Sequence, residues 1–255
     1  MKLGLIQGRL SEPKEGFQDT PKEWKREFTI LDEINLNHIE WIITKKSCRT
    51  NPFFTDDLSG FSINSVCADN LVDSRIGERD YVSPILNRIC EAAIKNNVKN
   101  ITIPLLEDSS IEDDKKRNNF AKILKDFCQR YPNLNFSLEA ELSCDKLKDL
   151  LSVSNNVFVT YDTGNMTSCG IDHKNYIREI SSRISNVHLK DRLKTGVTVV
   201  PLTGDTDFSL IFKTLKENSY TGVYTLQTAR QEAGFEKQTI TNHAKILRSI
   251  YDKSI

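Results

Sequence analysis

Four side chains with metal-binding chemistry recur along the second half of the chain at intervals of about one strand and one helix. They are Glu139, Asp162, His188 and Gln227, and the intervals between them are 23, 26 and 39 residues. Residues spaced in this way would lie on consecutive strands of a repeating strand–helix fold. One imidazole, two carboxylates and an amide oxygen suit Mn²⁺, Mg²⁺ or Co²⁺ better than Zn²⁺ or a metal that prefers thiolates. The spacing therefore predicts a divalent-metal site.

Eight short segments rich in branched or apolar residues would supply the strands, and helix-period stretches separate most of them. The segments are Leu3–Leu10, His38–Ile43, Ile63–Asn70, Asn100–Leu105, Asn135–Leu142, Val157–Asp162, Asn186–Lys190 and Gly222–Gln227. Alternating strands and helices predict parallel strands with crossover connections. Eight such units in 255 residues predict a single α/β domain over residues 1–255, a (β/α)8 TIM barrel. An open doubly wound sheet is the main alternative, but Gly8-Arg9-Leu10-Ser11 is not the Gly-rich turn that it normally carries.

Several helices can be predicted from periodicity and capping signals. One apolar face is formed by Val82, Ile85, Leu86, Ile89, Cys90, Ala93 and Ile94. Thr20-Pro21-Lys22-Glu23 predicts a helix start, with an N-cap, a proline at the first helical position and a capping-box glutamate. Residues 44–60 contain Asn51-Pro52 and Leu58-Ser59-Gly60 and leave little room for a regular helix.

Polar side chains at the strand ends share one phase of the strand alternation. Alone, each would ordinarily be a solvated strand-end residue, but as a set they predict an active site at the carboxyl ends of barrel strands. The set comprises the four candidate ligands together with Gln7, Arg9, Glu40, Asp69 and Lys190. We expect Gln7, Glu40, Asp69 and Glu107 to contact the substrate. The other histidines, His38, His173 and His243, are predicted to be structural, and Asp191 to be a capping or helix-facing residue.

Three arginines follow inward-facing strand ends, namely Arg9, Arg192 and Arg230. A guanidinium binds phosphate or carboxylate bidentately, so we expect these residues to bind an anionic group of the substrate. The alternative for each is a salt bridge to one of the many acidic residues at the barrel rim.

Six motifs, in this order, resemble the xylose-isomerase-like (sugar phosphate isomerase/epimerase) superfamily. They are Leu5-Ile-Gln-Gly-Arg-Leu10, His38-Ile-Glu-Trp41, Phe136-Ser-Leu-Glu139, Tyr161-Asp-Thr-Gly-Asn165, Val187-His-Leu-Lys-Asp-Arg192 and Tyr224-Thr-Leu-Gln-Thr-Ala-Arg230. The resemblance runs from the first strand to the last helix. It implies a (β/α)8 fold, a divalent metal on Glu139, Asp162, His188 and Gln227, and a catalytic-base role for Glu139.

The chain departs from that family at the eighth strand, where many of its epimerases carry a second glutamate. Gln227 can coordinate through its oxygen but cannot exchange a proton at neutral pH. Isomerisation through an enediolate needs one base, whereas epimerisation usually needs groups on both faces. A second acid/base would be Lys190, Glu40, Glu107 or Glu141, or a water molecule. We therefore expect a metal-dependent isomerase or epimerase acting on a sugar or sugar phosphate. The alternatives are a sugar or polyol dehydratase or lyase, and a metal- or sugar-binding barrel without turnover.

The composition narrows the partners. Lys and Arg total 35 and Asp and Glu total 35, so there is no basic excess to favour nucleic acid or an acidic membrane. A small anionic substrate needs only a few local cations, and a homo-oligomer is possible. We find no secretory signal and no apolar run long enough to span a membrane. Six cysteines are scattered singly without a C-x-x-C pair. These features predict a cytoplasmic protein.

Overall fold

A computed structural model of the protein describes residues 1–12 and 20–254. Eight strands form a closed barrel in the order β1-β10-β7-β6-β5-β4-β3-β2. The barrel strands are β1 (Lys2–Ile6), β2 (Ile39–Ile42), β3 (Ile63–Cys67), β4 (Asn100–Leu105), β5 (Asn135–Ala140), β6 (Val157–Asp162), β7 (Ile184–Leu189) and β10 (Val223–Leu226). The short strands β8 (Asp191–Arg192) and β9 (Thr198–Val199) pair antiparallel after β7. The predicted (β/α)8 TIM barrel is confirmed.

Helices follow most barrel strands. They are α1 (Trp24–Glu33), α2 (Pro52–Thr55), α3 (Arg79–Lys95), α4 (Asp114–Arg130), α5 (Cys144–Leu151), α6 (Thr163–Ser168), α7 (His173–Ile180), α8 (Phe208–Glu217) and α9 (Glu236–Lys253). The predicted face of α3 is buried at Val82, Leu86 and Ile89, whereas Ile94 is 56% exposed. Each buried Val, Leu or Ile contributes about 1.5–3 kcal/mol relative to an exposed one, so such faces hold the helices in place. Only α2 lies within residues 44–60, as predicted.

The chain divides into two compact units. In the described part of the chain, the first comprises residues 1–12, 21–39 and 161–254. Its aromatic core centres on Tyr224, whose ring makes edge contacts with Phe212, Tyr220 and Tyr251 at centroid distances of 5.4–5.7 Å. Such pairs add about 0.5–1.5 kcal/mol beyond the burial of their surface.

The second unit comprises residues 20 and 40–160. Phe136 of β5 packs edge-on against Phe127 of α4 at 6.4 Å. Three buried hydroxyl side chains form a chain of hydrogen bonds, from Thr102 to Thr160 at 3.2 Å and from Ser137 to Thr160 at 2.8 Å. The hydroxyls satisfy one another, which removes most of the cost of burying them.

Several strands end earlier than their sequence patterns predict. β1 ends at Ile6, and Gly8 has a φ of 84°, so the chain turns before Arg9. The prediction that Arg9 continues the strand in phase with Gln7 is therefore wrong. β3 ends at Cys67, and the chain then makes a short 3₁₀ turn over Asp69–Leu71. Asp69 is consequently exposed instead of lying on a strand.

The predicted start of α1 is also corrected. The helix begins at Trp24, and Glu23 occupies the N-cap position without a side-chain cap. Thr20 lies before the helix, and its hydroxyl accepts a hydrogen bond from the side chain of Asn51 at 3.1 Å. Asn51 in turn caps α2, since its side chain accepts from the backbone of Phe53. The hydroxyl expected to cap α1 instead contacts the segment that precedes α2.

The connection after β7 is closed at its base by one buried carboxylate. Asp191 has no exposed surface, and its two oxygens accept from the backbone of Gly204 at 3.0 Å and of Thr206 at 3.2 Å. The backbone of Asp205 also donates to the carbonyl of Arg192 at 2.9 Å. Asp191 therefore binds backbone N–H groups of the loop, and the N-cap of the following helix α8 is Asp207 instead. No described helix has both the length and the apolar character needed to cross a membrane.

Candidate metal centre and active site

Three ligand-type side chains converge at the carboxyl ends of β5, β6 and β7. Glu139 is the penultimate residue of β5, Asp162 the last of β6, and His188 the penultimate of β7. Each offers one ligand atom, and these atoms lie within 4.8 Å of one another. The three residues are 4%, 1% and 0% exposed. Two buried carboxylates and an imidazole are a suitable donor set for a divalent ion. The structure thus brings together three of the four predicted ligands.

Asp162 has two roles at the end of β6. One oxygen accepts the backbone N–H of Asn165 at 2.8 Å and so caps α6, and the other lies 2.8 Å from the ammonium group of Lys190. Burial acts to raise the pKa of Asp162, but the charges of Lys190 and His188 and the two hydrogen bonds outweigh it and lower the pKa. The carboxylate is therefore held ionised, which is the form that a metal ligand requires.

Lys190 is buried beside this cluster and is fixed along most of its length. Its backbone N–H donates to the hydroxyl of Thr163 at 3.0 Å, and that hydroxyl donates to the Lys190 carbonyl at 2.7 Å. Its ammonium group also reaches the side-chain oxygen of Asn165 at 3.3 Å. Gly164 packs so closely that an added Cβ would lie 2.9 Å from the Lys190 side chain. The cation is consequently preorganised next to Asp162.

Gln227 directly follows β10, and its backbone N–H donates to the carbonyl of Leu189 at 3.1 Å. It therefore lies beside the end of the strand that carries His188. Its side-chain oxygen is buried, and no hydrogen bond reaches it from the residues described. A buried amide oxygen without a donor costs free energy, and a bound cation would satisfy it. The donor chemistry therefore fits a metal ion held by the three converging ligands with Gln227 as the predicted fourth.

Cys67, which the sequence patterns did not single out, has its pKa raised by three neighbouring carboxylates. Cys67, the last residue of β3, is 5% exposed. Burial raises its pKa well above the ordinary value, and the charges of Glu40, Asp69 and Glu139 raise it further. These three predicted site residues thus lie within electrostatic range of one neutral thiol. A cysteine at the carboxyl end of a strand, in phase with the polar set, was the available signal.

The remaining residues that were predicted to bind the substrate differ in solvent exposure. Gln7 is 1% exposed and follows β1, whereas Glu107 is exposed and has a φ of 51°. Arg192 is half-buried, and its Nε donates to the hydroxyl of Thr198 across the β8–β9 pair at 3.3 Å. Substrate contacts for all three stay predictions.

Arg9 and Arg230 lie close to each other beside a small cavity of about 20 Å³. Burial and the neighbouring charge of Arg230 lower the pKa of Arg9 to about 9, so both groups are cations at neutral pH. Arg230 donates to the carbonyls of Gly8 and of Ser11, the latter at 2.9 Å. It therefore holds the turn after β1.

Glu27 is a further residue that the sequence patterns missed. It lies in α1 with 1% exposure, and its carboxylate accepts the backbone N–H groups of Gly8 at 2.8 Å and Leu10 at 3.0 Å and the hydroxyl of Ser11 at 2.9 Å. Burial raises its pKa, and these hydrogen bonds oppose part of the rise. Glu27 thus shapes the turn that carries Arg9 and partly balances the two arginine charges.

The other three histidines are structural, as predicted, although they are buried instead of lying at the surface. His38 contacts the hydroxyl of Thr225 at 3.2 Å, and His243 that of Thr228 at 2.8 Å. His173 lies between two hydroxyls, and its pKa falls to about 4, mainly through burial. Each imidazole is therefore engaged with hydroxyl groups.

No protein-family model matches the chain. Among curated proteins, inosose dehydratase of Clostridium perfringens is 33% identical over 106 residues, which is 34% of this chain and 35% of that protein. The chain thus matches only about a third of the length of this relative.

Solved structures match over nearly the whole chain at low identity. The IolI protein with a bound zinc atom gives a TM-score of 0.77 at 15% identity and covers 100% of this chain and 99% of its own. L-ribulose 3-epimerase gives 0.76 at 14% identity, covering 99% and 95%. A xylose isomerase domain protein from Planctomyces limnophilus gives 0.71 at 15% identity, covering 99% and 97%. The chain therefore has the fold of the xylose-isomerase-like TIM barrels, as its motifs predicted.

Proposed function

We propose that the protein is a metal-dependent enzyme that removes a proton next to the carbonyl group of a sugar or similar polyhydroxy compound, and that it acts as an isomerase or epimerase. The observation that carries this proposal is the convergence of Glu139, Asp162 and His188 at the carboxyl ends of adjacent barrel strands. When bound there, a divalent ion would polarise the carbonyl and stabilise the negative charge that develops on the substrate oxygens.

Within this proposal, the two carboxylates have different roles. Asp162 is bound to the Lys190 ammonium group and to a backbone N–H, and both interactions favour its ionised form. A carboxylate held in this way is a weak base. We therefore assign proton removal to Glu139, whose burial at 4% exposure excludes most competing water.

The amide at position 227 limits the stereochemistry. A single base can carry a proton between adjacent carbons on one face of a substrate, which suffices for aldose–ketose isomerisation. Epimerisation needs a second group on the opposite face, and Gln227 has no proton to give at neutral pH. Isomerisation is accordingly the first candidate, and Lys190 is the proposed second acid/base for epimerisation.

A dehydratase is the second candidate, favoured by the ammonium group of Lys190 and by the curated relative named inosose dehydratase. After Glu139 takes the proton, the electron pair left on carbon forms a double bond as the neighbouring C–O bond breaks. The departing hydroxyl takes a proton from Lys190 and leaves as water. This reaction uses the same first step and the same base.

Metal-dependent exchange of substrate hydrogen tests the proposed function. We expect one Mn²⁺ per chain by isothermal titration, and Mn²⁺-dependent deuterium incorporation from D₂O into candidate sugars by NMR. Asp162→Ala should weaken Mn²⁺ binding by more than the roughly 10–100-fold typical of losing a residue that only supports a ligand. Identification of the product by NMR distinguishes the two candidates. An isomerised sugar indicates an isomerase, and a keto-deoxy product indicates a dehydratase.

Asp172→Ala is the matched control, because Asp172 caps α7 as Asp162 caps α6, by accepting a backbone N–H three residues ahead. It should lose the cap and retain both metal binding and exchange. Equal Mn²⁺ binding by wild type, Asp162→Ala and Asp172→Ala would refute the metal site. Exchange that persists after chelation would refute a role for the metal.

The proposal also includes an anionic group on the substrate, bound by Arg9. Losing one charge-assisted interaction of about 1.5–3 kcal/mol should raise KM roughly 10–100-fold. We expect Arg9→Ala to do so for a phosphorylated sugar and to leave the KM of the free sugar nearly unchanged. Steady-state kinetics on both sugars measures this. An equal rise for both would assign Arg9 to the structure of the turn that Arg230 and Glu27 hold.

A further inference from the structure

A second cavity lies outside the metal-ligand cluster, within residues 40–160. Its volume is about 390 Å³, which is in the size range of small-molecule sites. One wall is the connection after β2, with Lys45, Cys48 and Phe54, and another is the connection after β3, with Asp73 and Arg75. The exposed side of α3 completes it. None of these residues takes part in the proposed reaction.

The charges lining this cavity do not balance. Lys45, Arg75 and Arg88 face it with a single carboxylate, Asp73, which gives a formal excess of two positive charges. Asp73 lies 3.0 Å from the Lys45 ammonium group and 2.9 Å from Nε of Arg75, and these contacts hold its pKa well below its usual range. The chain as a whole has no net charge. A local excess of this kind attracts an anion.

The same cavity offers flat and apolar surfaces beside the cations. The guanidinium of Arg88 lies 3.9 Å from the centre of the Phe54 ring, and that of Arg75 lies 4.2 Å from the centre of the Tyr81 ring. Pro84 and Ile85 of α3 add apolar surface. A guanidinium that lies over an aromatic ring can also stack against a second planar group and donate N–H groups to an anion.

Hydrogen bonds fix the walls of the cavity. Asn51 is fully buried and donates to the carbonyl of Ile42 at 3.0 Å and to the hydroxyl of Ser47 at 3.1 Å. Its side-chain oxygen accepts from the Trp41 ring at 2.8 Å. Arg88 also donates to the carbonyl of Cys48 at 2.6 Å, which ties α3 to the connection after β2. A preformed site loses little entropy when a ligand binds.

We propose that this cavity binds a nucleotide-like ligand, in which a flat ring carries a phosphate group. The phosphate would bind the ammonium group of Lys45. The ring would stack between the apolar surface of α3 and the guanidinium planes of Arg75 and Arg88. The inference does not depend on the proposed reaction, because no residue of the metal-ligand cluster lines the cavity.

The test is a titration of the full chain with AMP in the presence of EDTA, followed by NMR or calorimetry. We expect saturable binding at one site, with AMP bound more tightly than inorganic phosphate or adenosine. Arg88→Gln should weaken AMP binding about tenfold or more, since it removes a charge and a stacking plane. Arg130→Gln is the matched control, because Arg130 also lies over a phenylalanine, Phe127, but on α4 outside the cavity.

Cysteine alkylation locates the site without any substitution. Cys48 lines the cavity and is half-buried, whereas Cys169 is exposed elsewhere. AMP should slow alkylation of Cys48 by iodoacetamide, read by mass spectrometry, and leave Cys169 unaffected. Absence of saturable AMP binding would overturn the proposal. So would equal losses in Arg88→Gln and Arg130→Gln, equal binding of AMP and inorganic phosphate, or unprotected Cys48 at saturating AMP.

Discussion

Replacing Glu139 with glutamine is expected to lower turnover by about 10²–10⁴-fold, the usual cost of losing a general base, and by more if the residue is also a ligand. Glutamine has nearly the same shape but cannot accept the proton. Deuterium incorporation should fall in parallel with product formation, because both depend on the same step. Calorimetry should still detect a bound metal ion, with weaker affinity, since Asp162 and His188 are unchanged.

The control for this substitution is Glu141→Gln, which makes the same change two residues further along. Glu141 lies beyond the end of β5 and is exposed. The turnover of Glu141→Gln should stay within a few fold of the wild-type value. Full deuterium exchange by Glu139→Gln together with loss of exchange by Glu141→Gln would transfer the base role to Glu141. Unchanged exchange in both variants would instead direct attention to Lys190.

Replacing Lys190 with methionine is expected to destabilise the metal-free protein by about 3–5 kcal/mol, the typical cost of removing one partner from a buried ion pair. The Lys190 side chain is 9% exposed and that of Asp162 is 1% exposed, so water cannot replace the lost cation. Urea unfolding in EDTA measures the loss. Lys237→Met is the control, because it breaks a surface pair with Glu33 and should cost less than about 1 kcal/mol.

The dependence of this loss on pH has a definite sign. In the wild type, the pKa of Asp162 is lowered, so its favourable contribution is present at neutral pH and is lost as the pH falls through that lowered value. Without Lys190, burial is opposed only by the charge of His188 and the hydrogen bond from Asn165, so the pKa of Asp162 should rise relative to the wild type. The stability deficit of the variant relative to the wild type should then shrink between neutral and mildly acidic pH. A deficit that stays constant, or that matches Lys237→Met, would show that the pair is not energetically coupled.

The three converging ligands could be predicted from sequence because their placement depends on local properties. Strand alternation decides which side Glu139 and His188 face, and the spacing of one strand and one helix places them on neighbouring strands. Both rules survive small errors in strand length. Asp162 satisfied them as the last residue of its strand.

The predictions for Arg9 and Asp69 failed in part because they depended on where a strand stops. Gly8 adopts a positive φ and turns the chain, and the residues after Cys67 form a 3₁₀ turn. Neither event changes the apolar pattern that marks the strand. Such endings are decided by contacts with residues distant in sequence, here the Glu27 carboxylate that accepts the Gly8 and Leu10 N–H groups.

The sequence pattern around Glu27 does indicate that this residue is buried. It shares the buried face of α1 with Trp24, Phe28 and Leu31, at the spacing that keeps residues on one side of a helix. A carboxylate in such a series is costly unless it is bound, so it indicates a partner. Which partner binds it could not be known, because the backbone N–H groups of a turn look alike in every sequence.

The hydrogen bonds of Asp191 allow one loop to vary in length without disturbing the barrel. Asp191 follows β7 and binds the backbone of Gly204 and Thr206. The loop between Asp191 and Gly204 therefore begins and ends at the same point of the barrel. Residues could be gained or lost there over evolutionary time while β7, which carries His188, and the adjoining Lys190 kept their place. This loop is therefore a point at which the sequence can diversify beside an unchanged group of converging ligand-type side chains.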